Sequence, residues 1–328
     1  MTDMTRRDVF KAVITFDNPP RIGMSMPEPY GDDMLVCEWG GQIEEPLEPR
    51  GGELKRWRDA WGCAWASLTD YDKGEVVLGA IEDWSDLDAY VPPDMGREGD
   101  YRRAAEQFAA DDEHFRVGML PGFTFNISRK LRRLGEYLCD LVCERENIDR
   151  LHTIVRSQLL TSIDRWADAG ADAIGFCEDW GMQDRLMISP DMWREIFKPE
   201  FQTLTTRARD RGLKVWMHSR GLITEIVPDL IECGIDVLQF DQPRLHGIDK
   251  LAEFAGKITF QCPVDIQTTL QSGDADLIRA EARLLVEKLG SAGGGFVAGY
   301  YWGNEAIGIT PEIQDQACQA FAEYGTYR

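Results

Sequence analysis

The chain is short of several things, and each shortage removes a class of function. Its 328 residues contain no uninterrupted apolar run of about 18, so no membrane-spanning helix is expected. Basic residues are in deficit: 36 Lys and Arg against 57 Asp and Glu give a formal charge of −21. That sign repels phosphate backbones and anionic lipid, so neither nucleic acid nor a membrane is an expected partner. The eight cysteines include no CxxC pair and are too sparse for a disulfide framework. Reduced thiols in a cytoplasmic protein are the simplest reading. Cys139 and Cys143, four apart on an expected helix, read as small buried residues. Thr5–Lys11 has the look of a twin-arginine export signal. Asp17, Pro19, Pro20 and Arg21 follow it, so there is no apolar segment and export is not expected.

What the chain does have is ample apolar material, 43% of residues, for a large core. Residues 1–114 are irregular, with turn signals at Asp32-Asp33, Gly51-Gly52 and Pro92-Pro93. They are expected to wrap the core and not to form an independent domain. From 115 to 328 strands alternate with helices. Strands are expected at Phe115–Leu120, Ala173–Phe176, Lys214–Met217, Asp236–Phe240, Ile258–Gln261 and Phe296–Ala298, with Arg21–Met26 as a seventh. Helices are expected over 129–144, 149–169, 190–211 and 274–290, among others. Val215, Val237 and Thr259 are spaced by 22 residues each, one strand–helix unit per step. Strands apolar on both faces and joined by helices imply a parallel sheet covered on both sides. No GxGxxG opens a helix, which favours a (β/α)8 TIM barrel over an open doubly wound sheet. The expected organisation is a single barrel domain over 1–328.

In such a barrel the chemistry gathers at the C-terminal ends of the strands. The polar residues there are Glu178, Asp179, His218, Arg220, Gln239, Asp241, Gln242, Cys262, Asp265, Tyr300 and Tyr301. His218 follows an apolar strand and suits either a metal ligand or a general acid/base. Glu178 and Asp179 are adjacent, so on extended backbone only one can face the centre, and the other is free to cap a turn. Cys262 with His218 and Glu178 would make an S/N/O set suited to zinc; its bland alternative is a small buried residue. Asp265 could bind substrate or cap a helix. Arg220 could clamp a carboxylate with its planar fork or pair structurally with an acid. Tyr300 or Tyr301 could donate to a developing anion. His246, on a loop after Pro243, is expected at the surface. Among the ten tryptophans, Trp180, Trp216 and Trp302 could wall a substrate pocket.

Several phrases, in this order, resemble the uroporphyrinogen decarboxylase superfamily, which includes corrinoid-linked methyltransferases and O-demethylases. They are Glu178–Gln183, Ile188-Ser189-Pro190, Lys198-Pro199, His218–Gly221, Gly234–Leu238, Val264–Leu270 and Gly293–Phe296, with Thr5–Pro20 and Asp59–Trp65 also fitting. The resemblance spans nearly the whole chain and implies a (β/α)8 barrel with its site at the strand C-terminal ends. Two departures follow from it. The decarboxylases carry an Arg-Gln-Ala-Gly-Arg loop after the first strand, where this chain reads Gly23–Pro29 without an arginine. The zinc methyltransferases show His-x-Cys where this chain has His218-Ser219-Arg220, and Tyr300-Tyr301 stand where a late cysteine is expected. Zinc would therefore need the altered set His218, Glu178 and Cys262, beside a cation that opposes it.

The leading expectation is a methyltransferase of the O-demethylase-like branch. It would move a methyl group from a methoxylated small molecule to a corrinoid. The chain shows no corrinoid signature, so the cofactor would come on a partner protein, with nothing bound covalently. Glu178 or Asp179, His218 and Tyr300 would be proton donors. Arg220, Gln239, Asp241, Asp265 and Trp180 would contact substrate. A metal-free decarboxylase or lyase acting on a small carboxylic acid is the alternative, and a non-catalytic small-molecule-binding barrel the third reading. The resemblance is compatible with a homodimer, on which the residues are silent.

Overall fold

The computed structural model describes residues 4–70 and 74–326. Eight strands form one parallel sheet in the order β1-β12-β11-β10-β9-β8-β7-β2. They are β1 (Gly23–Ser25), β2 (Met34–Glu38), β7 (Phe115–Met119), β8 (Ala173–Cys177), β9 (Lys214–His218), β10 (Val237–Gln239), β11 (Thr259–Cys262) and β12 (Phe296–Gly299). The residues flanking β1 and β2 close the ring through side chains and two backbone bonds, the second from the Met26 N–H to the Gly31 carbonyl at 3.2 Å. Arg21 grips Asp33 with two bonds of 2.7 Å, and the Asp33 N–H donates to the Met24 carbonyl at 2.8 Å. The result is a nearly closed (β/α)8 barrel, with helices on its outside. Among the described residues no helix is long and apolar enough to cross a membrane.

The register fixes which residues face inward. Cys177 pairs with His218, His218 with Gln239, and Gln239 with Gln261, so these four share the inner face. Lower in the barrel, Met34, Phe115, Val117, Ala173, Val237 and Val297 form an apolar layer. α1 (Arg6–Ile14) seals that N-terminal end, packing Val9, Phe10, Val13 and Ile14 against the layer, with Phe10 stacked 4.7 Å from Phe115. α1 is anchored by Arg7 to Asp172 (2.7 and 2.9 Å) and by the Gly295 N–H on the Val13 carbonyl (2.9 Å). A Cβ on Gly294, whose φ is +139°, would stand 2.7 Å from that carbonyl. The Gly293–Gly295 turn is where α1 comes closest, and only glycine leaves room.

Several boundaries differ from expectation for local reasons. The helix expected over 129–144 is two, α3 (Thr124–Leu131) and α4 (Leu134–Cys143), broken where Arg133 takes a positive φ of 61°. The next is α5 (Arg145–Asp168), four residues longer at its start than expected. Ser189 caps α6 (Pro190–Ile196) through the Met192 N–H. That helix does not run on to Arg211: Pro199, which has no N–H to offer, restarts the chain as α7 (Lys198–Asp210). Cys139 and Cys143 are exposed, on the solvent side of α4, and not buried. The N-terminal part is more regular than expected. It supplies β2, the strand missing from the seven anticipated, and α2 (Arg102–Ala110) behind it. It also supplies an antiparallel sheet of β3 (Glu45–Pro46), β4 (Lys55–Arg58), β5 (Ala64–Ser67) and β6 (Glu75–Leu78).

Candidate active site at the barrel mouth

Two loops build the mouth, those after β8 and β9. They are zipped by backbone bonds: Gly181 N–H to the Arg220 carbonyl (3.1 Å) and Leu222 N–H to the Met182 carbonyl (2.7 Å). Gly221 has φ +71°, and a Cβ on it would overlap the Gly181 carbonyl at 2.1 Å. The glycines of Glu178–Gln183 and His218–Gly221 thus let two backbones touch and hold the residues before them in place.

The adjacent carboxylates are sorted by this geometry. Glu178 is fully buried and turned away from the mouth. Its oxygens accept the N–H groups of Phe123 (3.1 Å), Phe125 (2.9 Å) and Asn126 (3.1 Å) at the start of α3. Burial pushes its carboxyl up to about 8, and the three amides with the Arg129 charge pull it back. It holds a helix end, so the expectation that it is a catalytic or metal-binding group is corrected. Asp179 faces the mouth. Its Oδ1 accepts the Arg220 N–H at 3.0 Å and lies 3.8 Å from His218 Nε2, and the Arg129 guanidinium stands 4.0 Å from Oδ2.

His218, Gln239 and Asp241 form a relay. Gln239 Nε2 donates to Asp241 Oδ1 at 2.9 Å, which aims the Gln239 carbonyl at His218 Nδ1. A carboxylate only accepts, so the amide orientation follows from Asp241 and Nδ1 must carry the hydrogen. In the neutral imidazole the Nε2 lone pair is then the free one, on the side of Asp179. One nitrogen is pinned and the other is open beside a carboxylate, which is the arrangement a general acid/base needs.

The remaining expected residues lie elsewhere. Cys262 is fully buried and alternates with inward-facing Gln261, so it points into the helix layer, and burial drives its thiol pKa well up. Among the described residues no three His, Cys, Asp or Glu side chains come together to hold a metal ion. His218, Glu178 and Cys262 diverge, and the donor set does not fit zinc. Asp265 is 1% exposed and fully engaged by the N–H groups of Arg244, Gln267 and Thr268 and the Thr268 hydroxyl, so it organises a loop and does not contact substrate. Trp180 is core, stacked 4.0 Å from Phe125 and edge-on to Phe197, and not a pocket wall. Trp216 lies within the barrel, its Nε1 bonded to Gln261 at 2.7 Å, while Trp302 is exposed. Tyr300 accepts from Asn304 Nδ2 at 2.8 Å and packs on Trp302; its partners do not include the His218 relay. Arg220 is exposed, with no ion pair to its guanidinium among the described residues. His246 is buried against Phe240, which lowers its pKa to about 4, correcting the surface expectation.

Four residues at the mouth were not anticipated. Asn126 donates to the Cys177 carbonyl (3.1 Å) and accepts from Arg129 Nε (2.9 Å), which carries α3 into the site. Cys177 is the last inward residue of β8 and is exposed. The small inward residues Ala173 and Gly175 already set the alternation that puts it there. Glu38 ends β2 on the inner face, wetted but walled in by the barrel, and burial raises its carboxyl pKa.

The decisive comparison is by family. Residues 130–325, which hold β8 to β12 and the relay, match the description "Uroporphyrinogen decarboxylase (URO-D)". The chain belongs to the URO-D family. No curated protein sequence matches it. Among solved structures this URO-D protein is similar to a methyltransferase from Methanosarcina mazei, at 15% identity, with a TM-score of 0.68 over 98% of this chain and 99% of the other. At that identity the likeness speaks for the fold. A B12-independent methionine synthase from Shewanella sp. W3-18-1, solved with selenomethionine, aligns over 97% of this chain and 86% of its own at 11% identity. Its TM-score of 0.45 is too low to carry an argument.

Proposed function

We propose that this URO-D protein transfers a methyl group from a methoxylated small molecule to a corrinoid carried on a separate protein. The observation behind this is His218, with Nδ1 fixed by Gln239 and Nε2 open beside Asp179 at the barrel mouth. The corrinoid would supply a nucleophilic cobalt that accepts the methyl group, and the chain does the rest. As the carbon–oxygen bond breaks, its electron pair stays on oxygen. His218, protonated at Nε2 and stabilised in that state by Asp179, gives its proton to that oxygen. Gln239 and Asp241 hold the ring through the transfer. In this reading Arg220 and Arg129 orient an anionic group on the substrate, which Arg129's approach to Asp179 supports. Exposed Met182 and Trp302, on the loops after β8 and β12, offer apolar surface to the carrier. No step runs through zinc, because the donor set does not assemble.

The test is anaerobic incubation with reduced cobalamin and a panel of methanol and methoxybenzoates, read by the spectral change of the corrinoid on methylation. Enzyme-dependent methylation, reduced about 10²–10⁴-fold in His218→Ala, is expected. A second reading, decarboxylation of a small carboxylic acid, draws on the unpaired Arg220. It would replace the first if the panel stays inert and CO2 is released from such acids. Ligand binding with no turnover in either assay would leave a non-catalytic barrel.

A further inference from the structure

Beside the mouth, on another face of α3, lies a cavity that the reading above does not use. It has a volume of about 180 Å³ and opens between the antiparallel sheet and the barrel. Its walls include Trp39, which directly follows β2, and Trp57, Trp61 and Trp65 from β4, β5 and their connection. Trp57 and Trp65 are parallel, 6.0 Å between centroids and 12° between planes. Four of the ten tryptophans thus line one small space.

Its one cationic lining residue is Lys130, set among the acidic side chains Asp59 and Glu44. The ammonium sits 5.4 Å over the Trp65 ring and makes no hydrogen bond or ion pair among the described residues. Burial lowers its pKa, and Asp59 is near enough to favour the charge without pairing with it. Asp59 is itself fully engaged, by Trp65 Nε1 (2.7 Å) and the N–H groups of Trp61 (3.0 Å) and Cys63 (2.9 Å). A half-buried cation with only an indole face in direct contact is costly, and an incoming anion would offset that cost. The volume suits one ring: a cavity of about 150 Å³ accepts benzene. An indole face favours a flat π-system laid against it.

We propose that this cavity is a binding site for a monocyclic aromatic carboxylate, its ring against Trp57 and Trp65 and its carboxylate on Lys130. The cavity's lining shares no residue with the His218 relay, and the proposal does not depend on methyl transfer. α3 connects the two, since Lys130 lines the cavity and the preceding Arg129 faces Asp179.

The probe is 4-fluorobenzoate, followed by ligand-observed fluorine NMR on the full chain, with benzoate as competitor. Saturable binding is expected, about 10–100-fold weaker in Lys130→Met, which keeps the apolar stem and loses the charge-assisted bond. Trp57→Ala, which removes a half-buried ring, should weaken binding about fivefold or more. Arg220→Ala should leave it unchanged, and neutral 4-fluorobenzyl alcohol should bind at least about tenfold more weakly than the acid. Circular dichroism of each variant shows whether it is folded. The proposal is overturned if folded wild-type protein shows no saturable binding. It is equally overturned if affinity survives Lys130→Met and falls with Arg220→Ala, which would put the ligand at the mouth. Neither result bears on whether corrinoid is methylated.

Discussion

The two ends of this barrel are made from the same eight strands and do opposite things. At the N-terminal end, α1 presses Val9, Phe10, Val13 and Ile14 onto a ring of inward apolar residues. At the other end the inward positions are the polar or small Glu38, Cys177, His218 and Gln239. Side chains on one strand only a few residues apart therefore meet different needs. Those below must fill space. Those above must hold a proton and leave room for a ligand. The carboxyls follow the same division: Glu178 serves the scaffold and its neighbour Asp179 the mouth.

The largest expected effect is at the open end. His218→Ala should lower methyl transfer by about 10²–10⁴-fold and cost about 1–2 kcal/mol of stability through the orphaned Gln239, checked by corrinoid spectra and denaturant titration. The mirror experiment is Phe10→Ala at the sealed end. Loss of a fully buried ring should cost about 3–5 kcal/mol of stability and leave turnover per folded molecule intact. If both variants lost activity and stability together, the two ends would not be separable.

Glu178 sharpens the comparison from within the scaffold. Glu178→Ala orphans three buried amides and should cost about 3 kcal/mol or more in denaturant unfolding; Glu178→Gln still accepts two of them and should cost about 1–3 kcal/mol. The acid's pKa, near 8 when folded, lies above its unfolded value of 4.5. Its contribution is therefore complete below about pH 4.5 and fades as pH rises toward 8 and beyond. Unfolding midpoints measured between pH 5 and 9 should fall more steeply in the wild type than in Glu178→Gln.

His152 and His246 give an opposing acid arm. Burial lowers them to about 3 and about 4. Their stability is present above an unfolded pKa near 6.5 and is lost as pH falls below it. His246→Phe, with its ring already stacked on Phe240, should soften acid unfolding between pH 6 and 4, the smallest of these effects.

Much of the fold was legible because β8 to β12 are apolar runs punctuated by glycine, and a parallel barrel permits little else. β2 was not, since its apolar run Met34–Cys37 is only four residues long and lies in the irregular Gly- and Pro-rich stretch before the strand–helix repeats begin. The position of His218 was readable from its place after an apolar strand. Its partner Gln239 follows only from register, which 22-residue spacing hints at and cannot fix for each side chain. The choice between Glu178 and Asp179 was open because adjacency says that they diverge but not which way. Cys262 misled because its strand's alternation was not anchored, and one step puts a thiol in the helix layer. The tryptophan cavity was hidden because its walls come from short, separate strands that meet only in three dimensions.

The Gly295–Val13 bond has a consequence for how the protein is made. Chains leave the ribosome amino end first. α1 thus emerges long before Gly295, the residue that anchors its C-terminal end. Until then its apolar face can meet Phe115 and Val117 but lacks that anchor and the Val237 and Val297 part of its layer. A nascent chain released before residue 293 would carry a sticky helix and a ring it cannot close, making it a natural client for a chaperone that holds exposed apolar segments.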